Sequence, residues 1–182
     1  MKSQLWAYLL RNPRTTGSLL PSSACLARAM AQEAQGAERV LELGAGTGPV
    51  TQALLHLYPA TLVHSVELQP QLAALLQERF AGLHVTQGCA LQALSQAPAN
   101  QRIVVVSSLP FRSLPLAFRE RFAAELQAFL ARNPQAWLVQ FTYQPRAPFK
   151  APAGWGWSRG PLVLGNLPPA RVWCLRPSPS KA

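Results

Sequence analysis

The sequence predicts an α/β fold: a doubly wound, mostly parallel sheet of seven strands that ends in a hairpin. Three observations predict it. Strand-like and helix-like segments alternate up to Thr142. The apolar run Val40-Leu41-Glu42-Leu43 leads straight into the glycine turn Gly44-Ala45-Gly46-Thr47-Gly48, and a second strand ends in Glu67. After Thr142 the alternation stops in a stretch rich in Pro, Gly and Trp, and two short strands follow with no helix between them.

The elements follow in order. Leu5, Trp6, Leu9 and Leu10 share one side of a short N-terminal amphipathic helix flanked by Lys2, Arg11 and Arg14, and 11–18 reads as a loop. Ser22 or Ser23 caps a helix through Leu26 and Met30 to about Gln35, stopped by Gly36. Strand one is 39–43, the helix after the glycines covers about 49–57, and strand two covers 61–66. Pro70 suits a first helical turn, with Leu72, Leu75, Leu76 and Phe80 as the buried stripe before Gly82. Strand three spans 83–86, and strand four, 102–106, is the continuous apolar run of a strand covered on both faces. Phe118, Phe122, Leu126, Phe129 and Leu130 keep helical spacing until Asn133-Pro134. Trp137 to Thr142 is strand five, and the last two strands lie near 162–164 and 171–175. The expected division is a membrane-facing segment at 1–20, one domain at 21–176 and a disordered tail at 177–182.

The 182 residues fit one domain, 49% apolar and 13% charged. No uninterrupted apolar run reaches the roughly 18 residues of a membrane span, and the N-terminus does not read as a signal peptide. Cys25, Cys89 and Cys174 are odd in number and lack zinc spacing, so reduced thiols in a cytosolic protein and no metal are expected. Seventeen basic residues against seven acids, a formal net charge of +10, favour an anionic partner, nucleic acid or an acidic lipid surface. Every acid is a glutamate, which excludes any mechanism built on an aspartate.

Strand, glycine turn, helix, strand and acid together lay out a nucleotide site at the first switch of a parallel sheet. Dinucleotides call for Gly-x-Gly-x-x-Gly around a pyrophosphate. The Gly-x-Gly-x-Gly spacing here, with Glu42 two residues ahead, resembles the first motif of class I S-adenosylmethionine (SAM) dependent methyltransferases. That resemblance implies SAM as cofactor. It would be bound by Glu42, Gly44, Ala45, Gly46, Gly48, Glu67, Leu68, Cys89, Ala90 and Ser107, with Glu42 toward its amino-acid end and Glu67 on the ribose hydroxyls. Cys89 stands where family members place an aspartate for the adenine amino group, which predicts weaker binding. Ser107-Ser108-Leu109-Pro110-Phe111 resembles the Asn-Leu-Pro-Tyr loop of amino-methylating enzymes, with Ser108 in the Asn position. The closing hairpin fits the antiparallel last strand of this fold.

Further stretches, Asn12 to Ser18 with Pro21-Ser22-Ser23, Ser113-Leu114-Pro115, Gln140-Phe141-Thr142-Tyr143 and Asn166 to Val172, resemble the bacterial phospholipid N-methyltransferases, in order along nearly the whole chain. The resemblance implies methylation of phosphatidylethanolamine towards phosphatidylcholine by a monomer peripheral on the inner membrane face. Ser108, Leu109, Pro110 and Tyr143 would be catalytic. Tyr143 and Phe111 would face the ammonium, and Arg112 or Arg146 would hold the lipid phosphate. Trp155 and Trp157 either join that cage or cover the core. The N-terminal segment, through Lys2, Leu5, Trp6, Leu9, Arg11 and Arg14, either lies on anionic lipid or packs on the domain. No general base stands out; water and Tyr143 stay open. The alternatives are another aminolipid such as ornithine lipid, rRNA adenine dimethylation, in which case nucleic acid is the partner, or a degenerate SAM fold that binds membrane or RNA without turnover.

Overall fold

The computed structural model describes residues 23–178. Seven strands form one sheet in the order β3-β2-β1-β4-β5-β7-β6. They are β1 (Arg39–Leu43), β2 (Val63–Glu67), β3 (His84–Gln87), β4 (Ile103–Ser107), β5 (Trp137–Thr142), β6 (Trp155–Val163) and β7 (Ala170–Pro177). The first five are parallel, and β7 runs antiparallel to both β5 and β6. Helices α1 (Ala24–Glu33), α2 (Pro49–Leu55) and α3 (Pro70–Arg79) cover one face, and α4 (Ala90–Gln96) and α5 (Leu116–Arg132) cover the other. This is the doubly wound, mostly parallel sheet with an antiparallel C-terminal strand that the sequence predicts.

Side chains alternate across each strand, so the two faces draw on interleaved residues. Val40, Val104, Val106, Val139 and Phe141 meet Leu26, Met30, Leu54 and Leu76 on the α1–α3 face. Leu41, Leu43, Ile103, Val105 and Leu138 meet Leu94, Phe122, Leu126 and Phe129 on the α4–α5 face. Central strands buried on both sides therefore read as continuous apolar runs. Ser23 caps α1, its hydroxyl accepting the Leu26 N–H at 3.2 Å. Buried Asn133 ends α5: its Oδ1 accepts the Gln101 N–H at 3.0 Å and its Nδ2 donates to the Phe129 carbonyl at 3.1 Å.

Several expectations need correction. Helix α4 follows β3 where the sequence showed no clear helix. It is seven residues long, lacks a side-chain cap and buries only Ala90, Leu91 and Leu94, too short a stripe to show a period. In α3 the buried residues are Ala73 and Leu76, whereas Leu75 is 41% exposed. The last two strands are longer than expected, with nine and eight residues. Trp155 and Trp157 thus belong to β6 and not to a loop. The expected membrane-facing residues Lys2, Leu5, Trp6, Leu9, Arg11 and Arg14 lie outside the described residues. No described helix is long and apolar enough to cross a membrane.

Candidate functional site

The carboxyl ends of β1, β2 and β4 meet where the chain leaves β1 through the glycine turn. Gly44, Gly46 and Gly48 all take positive φ, at 73°, 58° and 87°, a region that costs other residues energy. Beyond that, their surroundings differ. A Cβ on Gly44 would sit 2.8 Å from the Leu109 side chain, and one on Gly48 would sit 2.7 and 2.8 Å from Phe80 and Leu76. A Cβ on Gly46 would meet nothing within 4 Å. Gly44 admits the loop after β4, Gly48 admits α3, and Gly46 alone faces open space. The sequence suggested all three for close approach to the cofactor; of the three, Gly46 alone has open space where a side chain would stand. Ala45 is buried beside them, and its N–H lies 3.4 Å from the Val66 carbonyl.

Glu67, 6% exposed at the end of β2, reaches into this turn. Its Oε2 accepts the Gly46 N–H at 2.8 Å and its Oε1 accepts the Gln69 N–H at 2.9 Å. Each carboxylate oxygen keeps a further lone pair for a hydroxyl donor. Leu68, half-buried, follows at the rim.

Glu42 lies deeper than the sequence suggested. It is fully buried beneath the turn on the α2 face, and its Oε2 accepts from both the Ser65 hydroxyl (2.6 Å) and the Thr51 hydroxyl (2.7 Å). Its Oε1 is buried with no partner. Burial is the largest influence on this carboxyl and pushes its pKa up to about 7, against the pull of the Ser65 and Thr51 hydrogen bonds. Thr51 and Ser65 went unrecognised in the sequence. The signal was there: a hydroxyl in the first turn of α2 and another in the middle of a buried strand.

The loop after β4 crosses the glycine turn. The Ser108 N–H donates to the Leu43 carbonyl at 2.9 Å, and buried Ser107 accepts the Leu109 N–H on its hydroxyl at 3.4 Å. The Ser108 hydroxyl is buried without a partner. Gln140, buried in β5, donates from Nε2 to the Leu109 carbonyl at 2.8 Å, and its own Oε1 has no partner. The sequence offered Gln140 only as part of a family-like stretch. A lone amide inside an otherwise apolar central strand was the signal that it holds something. Pro110 then leads into a single tight turn at Phe111–Ser113.

Other expected residues land elsewhere. Phe111 is 3% exposed, with its ring against Phe122 and Phe149 at 5.2 and 4.7 Å, so it fills the α5-side core and does not stack over a substrate. Trp155 and Trp157 pair with Pro177 and Leu175, near the amino end of β5, where Leu138 also pairs with Leu175. The indole N–H of Trp157 donates to the Phe149 carbonyl at 2.9 Å. Both tryptophans pack on the core at the end of the sheet away from the glycine turn, which removes them from an ammonium cage. Tyr143 leaves β5 at the correct end, half-buried and edge-on to Phe141 at 5.3 Å. Arg112 and Arg146 are exposed at the same rim, and Arg112 donates to the Ala147 carbonyl at 3.1 Å. Cys89 precedes α4 half-buried and packs against the α4–α5 core, with buried Ala90 next to it. His64 and His84 stack at 4.1 Å nearer the amino ends of β2 and β3. Among the described residues no three His, Cys or Glu side chains gather into a metal site.

These features suit SAM. The space before Gly46 and the spare acceptor lone pairs of Glu67 beside it are what the ribose of SAM and the chain joined to it require.

Gly48→Ala forces a methyl into Phe80 and Leu76 and should lower unfolding free energy by about 2–4 kcal/mol in urea titrations. Gly46→Ala should lower it by only about 1–2 kcal/mol yet weaken SAM binding at least tenfold by calorimetry; the reverse order would refute the assignment. For Glu42, the folded pKa lies above the ordinary 4.5, so stability is fully present below that value and declines as pH rises through about 7. Glu42→Gln should abolish this decline, gaining up to about 3 kcal/mol on wild type between pH 4.5 and 8. Parallel stability curves would refute it.

The geometry has counterparts among known proteins. A methyltransferase domain model matches residues 40–133. An ornithine lipid N-methyltransferase of Singulisphaera acidiphila is 35% identical over 137 residues, which is 70% of this chain and 70% of that one. A protein-L-isoaspartate O-methyltransferase of Anaeromyxobacter dehalogenans is 38% identical over 99 residues, 51% of this chain and 46% of its own length. Among solved structures, TrmN from Thermus thermophilus aligns with TM-score 0.62 at 20% identity over 92% of this chain, which spans about half (52%) of TrmN. The DhpI–SAH complex aligns with TM-score 0.59 at 18% identity over 98% of this chain and 97% of that one. Fold, glycine turn and family match agree: the chain belongs to the class I SAM-dependent methyltransferases.

Proposed function

We propose that this methyltransferase transfers a methyl group from SAM to the amino nitrogen of an aminolipid headgroup at a membrane surface. The observation that carries the proposal is the similarity to an ornithine lipid N-methyltransferase over 70% of both chains. It favours an ornithine-type headgroup over phosphatidylethanolamine, the substrate first suggested by the sequence.

Held at the Gly46 turn and by Glu67, SAM supplies an electrophilic methyl for in-line attack by an amine lone pair. The chain's own part is to place the amine. The Leu109 carbonyl accepts from both Gln140 Nε2 (2.8 Å) and the Phe111 N–H (2.7 Å), which uses its two lone pairs and fixes the loop. The unpartnered Ser108 hydroxyl on this fixed loop is the acceptor for an N–H of the amine, and accepting it orients the nitrogen lone pair away from the loop. Arg112 and Arg146 at the rim suit an anionic headgroup. The proton lost by the nitrogen passes to solvent at this open rim.

The test is transfer of labelled methyl from SAM by purified protein to three acceptors: anionic vesicles containing ornithine lipid, the same vesicles containing phosphatidylethanolamine, and ribosomal RNA. Label in the ornithine lipid at a rate at least tenfold above the other two is the expected result. Label mainly in phosphatidylethanolamine would correct the headgroup. Label only in RNA, or SAM binding with no transfer, would overturn the aminolipid assignment.

A further inference from the structure

We propose that the tip of the β6–β7 hairpin, residues 164–169, is a rigid apolar wedge that docks the carboxyl rim of the sheet on an anionic lipid surface. The inference rests on the aminolipid reading and adds the surface through which the enzyme reaches its substrate.

Six large apolar residues are exposed among the described residues: Leu57, Leu75, Leu116, Leu162, Leu164 and Leu167. Four of them lie at one end of the molecule. Thr142, the last residue of β5, pairs with Arg171, and Arg171 pairs in turn with Leu162. The hairpin therefore turns at the carboxyl end of the parallel strands, the end that carries the glycine turn and the Ser108–Leu109 loop. Leu116 opens α5 directly after that loop. Leu164 and Leu167, on the tip itself, are the most exposed of the six at 73% and 80%.

Such exposure is unfavourable in water, and here the chain enforces it. Asn166, 5% exposed between the two leucines, accepts the Ser23 N–H on Oδ1 at 3.0 Å and donates from Nδ2 to the Pro168 carbonyl at 2.8 Å. Pro168 and Pro169 stiffen the turn further. With its amide anchored inward, the tip cannot fold its leucines back onto the domain.

The charge around the tip matches an anionic surface. The rim loops 108–115 and 143–149 and the tip 164–169 contain no acid, while Arg112 and Arg146 stand exposed in the first two. Exposed leucines with arginines on the loops of the same rim are a composition that inserts shallowly into an acidic leaflet, the apolar groups supplying burial and the cations headgroup attraction. Ser23 is bonded to this tip, and the segment that precedes it in the sequence carries Leu5 and Trp6, so that segment is the competing lipid contact that the experiment must separate.

The test is co-sedimentation of the full-length protein with phosphatidylglycerol vesicles and with neutral phosphatidylcholine vesicles. It compares wild type, Leu164→Ser/Leu167→Ser and Leu5→Ser/Trp6→Ser, with thermal melting as a check on folding. The tip variant should melt like wild type, lose affinity for acidic vesicles about tenfold or more, and keep methyl transfer to aminolipid dispersed in detergent. Wild-type affinity in the tip variant would overturn the proposal, whether or not the Leu5/Trp6 variant fails to bind. Equal binding of wild type to neutral and acidic vesicles would overturn the charged-surface part. Binding through the tip without methylation of any aminolipid would leave the docking surface standing and remove the substrate assignment.

Discussion

The site depends on one close approach. Gly44 and Leu109 are packed so tightly that a single methyl on the glycine would lie 2.8 Å from the leucine side chain. The contact is forced by β1 and β4 being neighbours: Leu43 pairs with Ser107, and the next residue, Ser108, continues the ladder to the Leu43 carbonyl. The glycine turn and the loop after β4 thus leave adjacent strands and immediately brace each other. Gln140 adds a third strand to the brace by holding the Leu109 carbonyl from β5. Methyl transfer needs donor and acceptor held in one fixed geometry, and three paired strands brace the two segments against each other.

Around this brace the polar residues divide by depth. Glu67 lies at the turn itself and accepts two backbone N–H groups, one on each carboxyl oxygen, with lone pairs to spare. Glu42, two residues before the turn and fully buried, depends on two hydroxyls for one oxygen while the other has none. Burying a carboxyl this way disfavours its charge, which ties the stability of the turn's foundation to pH in the neutral range. Two glutamates that look alike in the sequence therefore do different work, one toward the ligand and one toward the floor of the site.

The sequence carried the fold well because the sheet's centre is written in runs that only a doubly covered parallel strand requires, such as Ile103 to Val106. The glycine turn and Glu67 were equally legible, since strand, turn and acid occur in order. What escaped was set by tertiary packing. The separate roles of Gly44, Gly46 and Gly48 depend on Leu109 and Phe80, residues far along the chain. The inward turn of Phe111 depends on Phe122 and Phe149. The placement of Trp155 and Trp157 at the far end follows from the direction of β6, which local composition does not specify. Helix α4 was hidden by its length.

The central claim is that the cofactor turn is complete in itself, while the acceptor loop is positioned by Gln140. Gln140→Leu keeps the volume and removes the donor to the Leu109 carbonyl, so SAM affinity by calorimetry and single-turnover methyl transfer should be measured on the same preparation. The account predicts SAM affinity within about twofold of wild type and transfer slowed at least tenfold. Unchanged transfer, or SAM binding and transfer lost in equal measure, would contradict it.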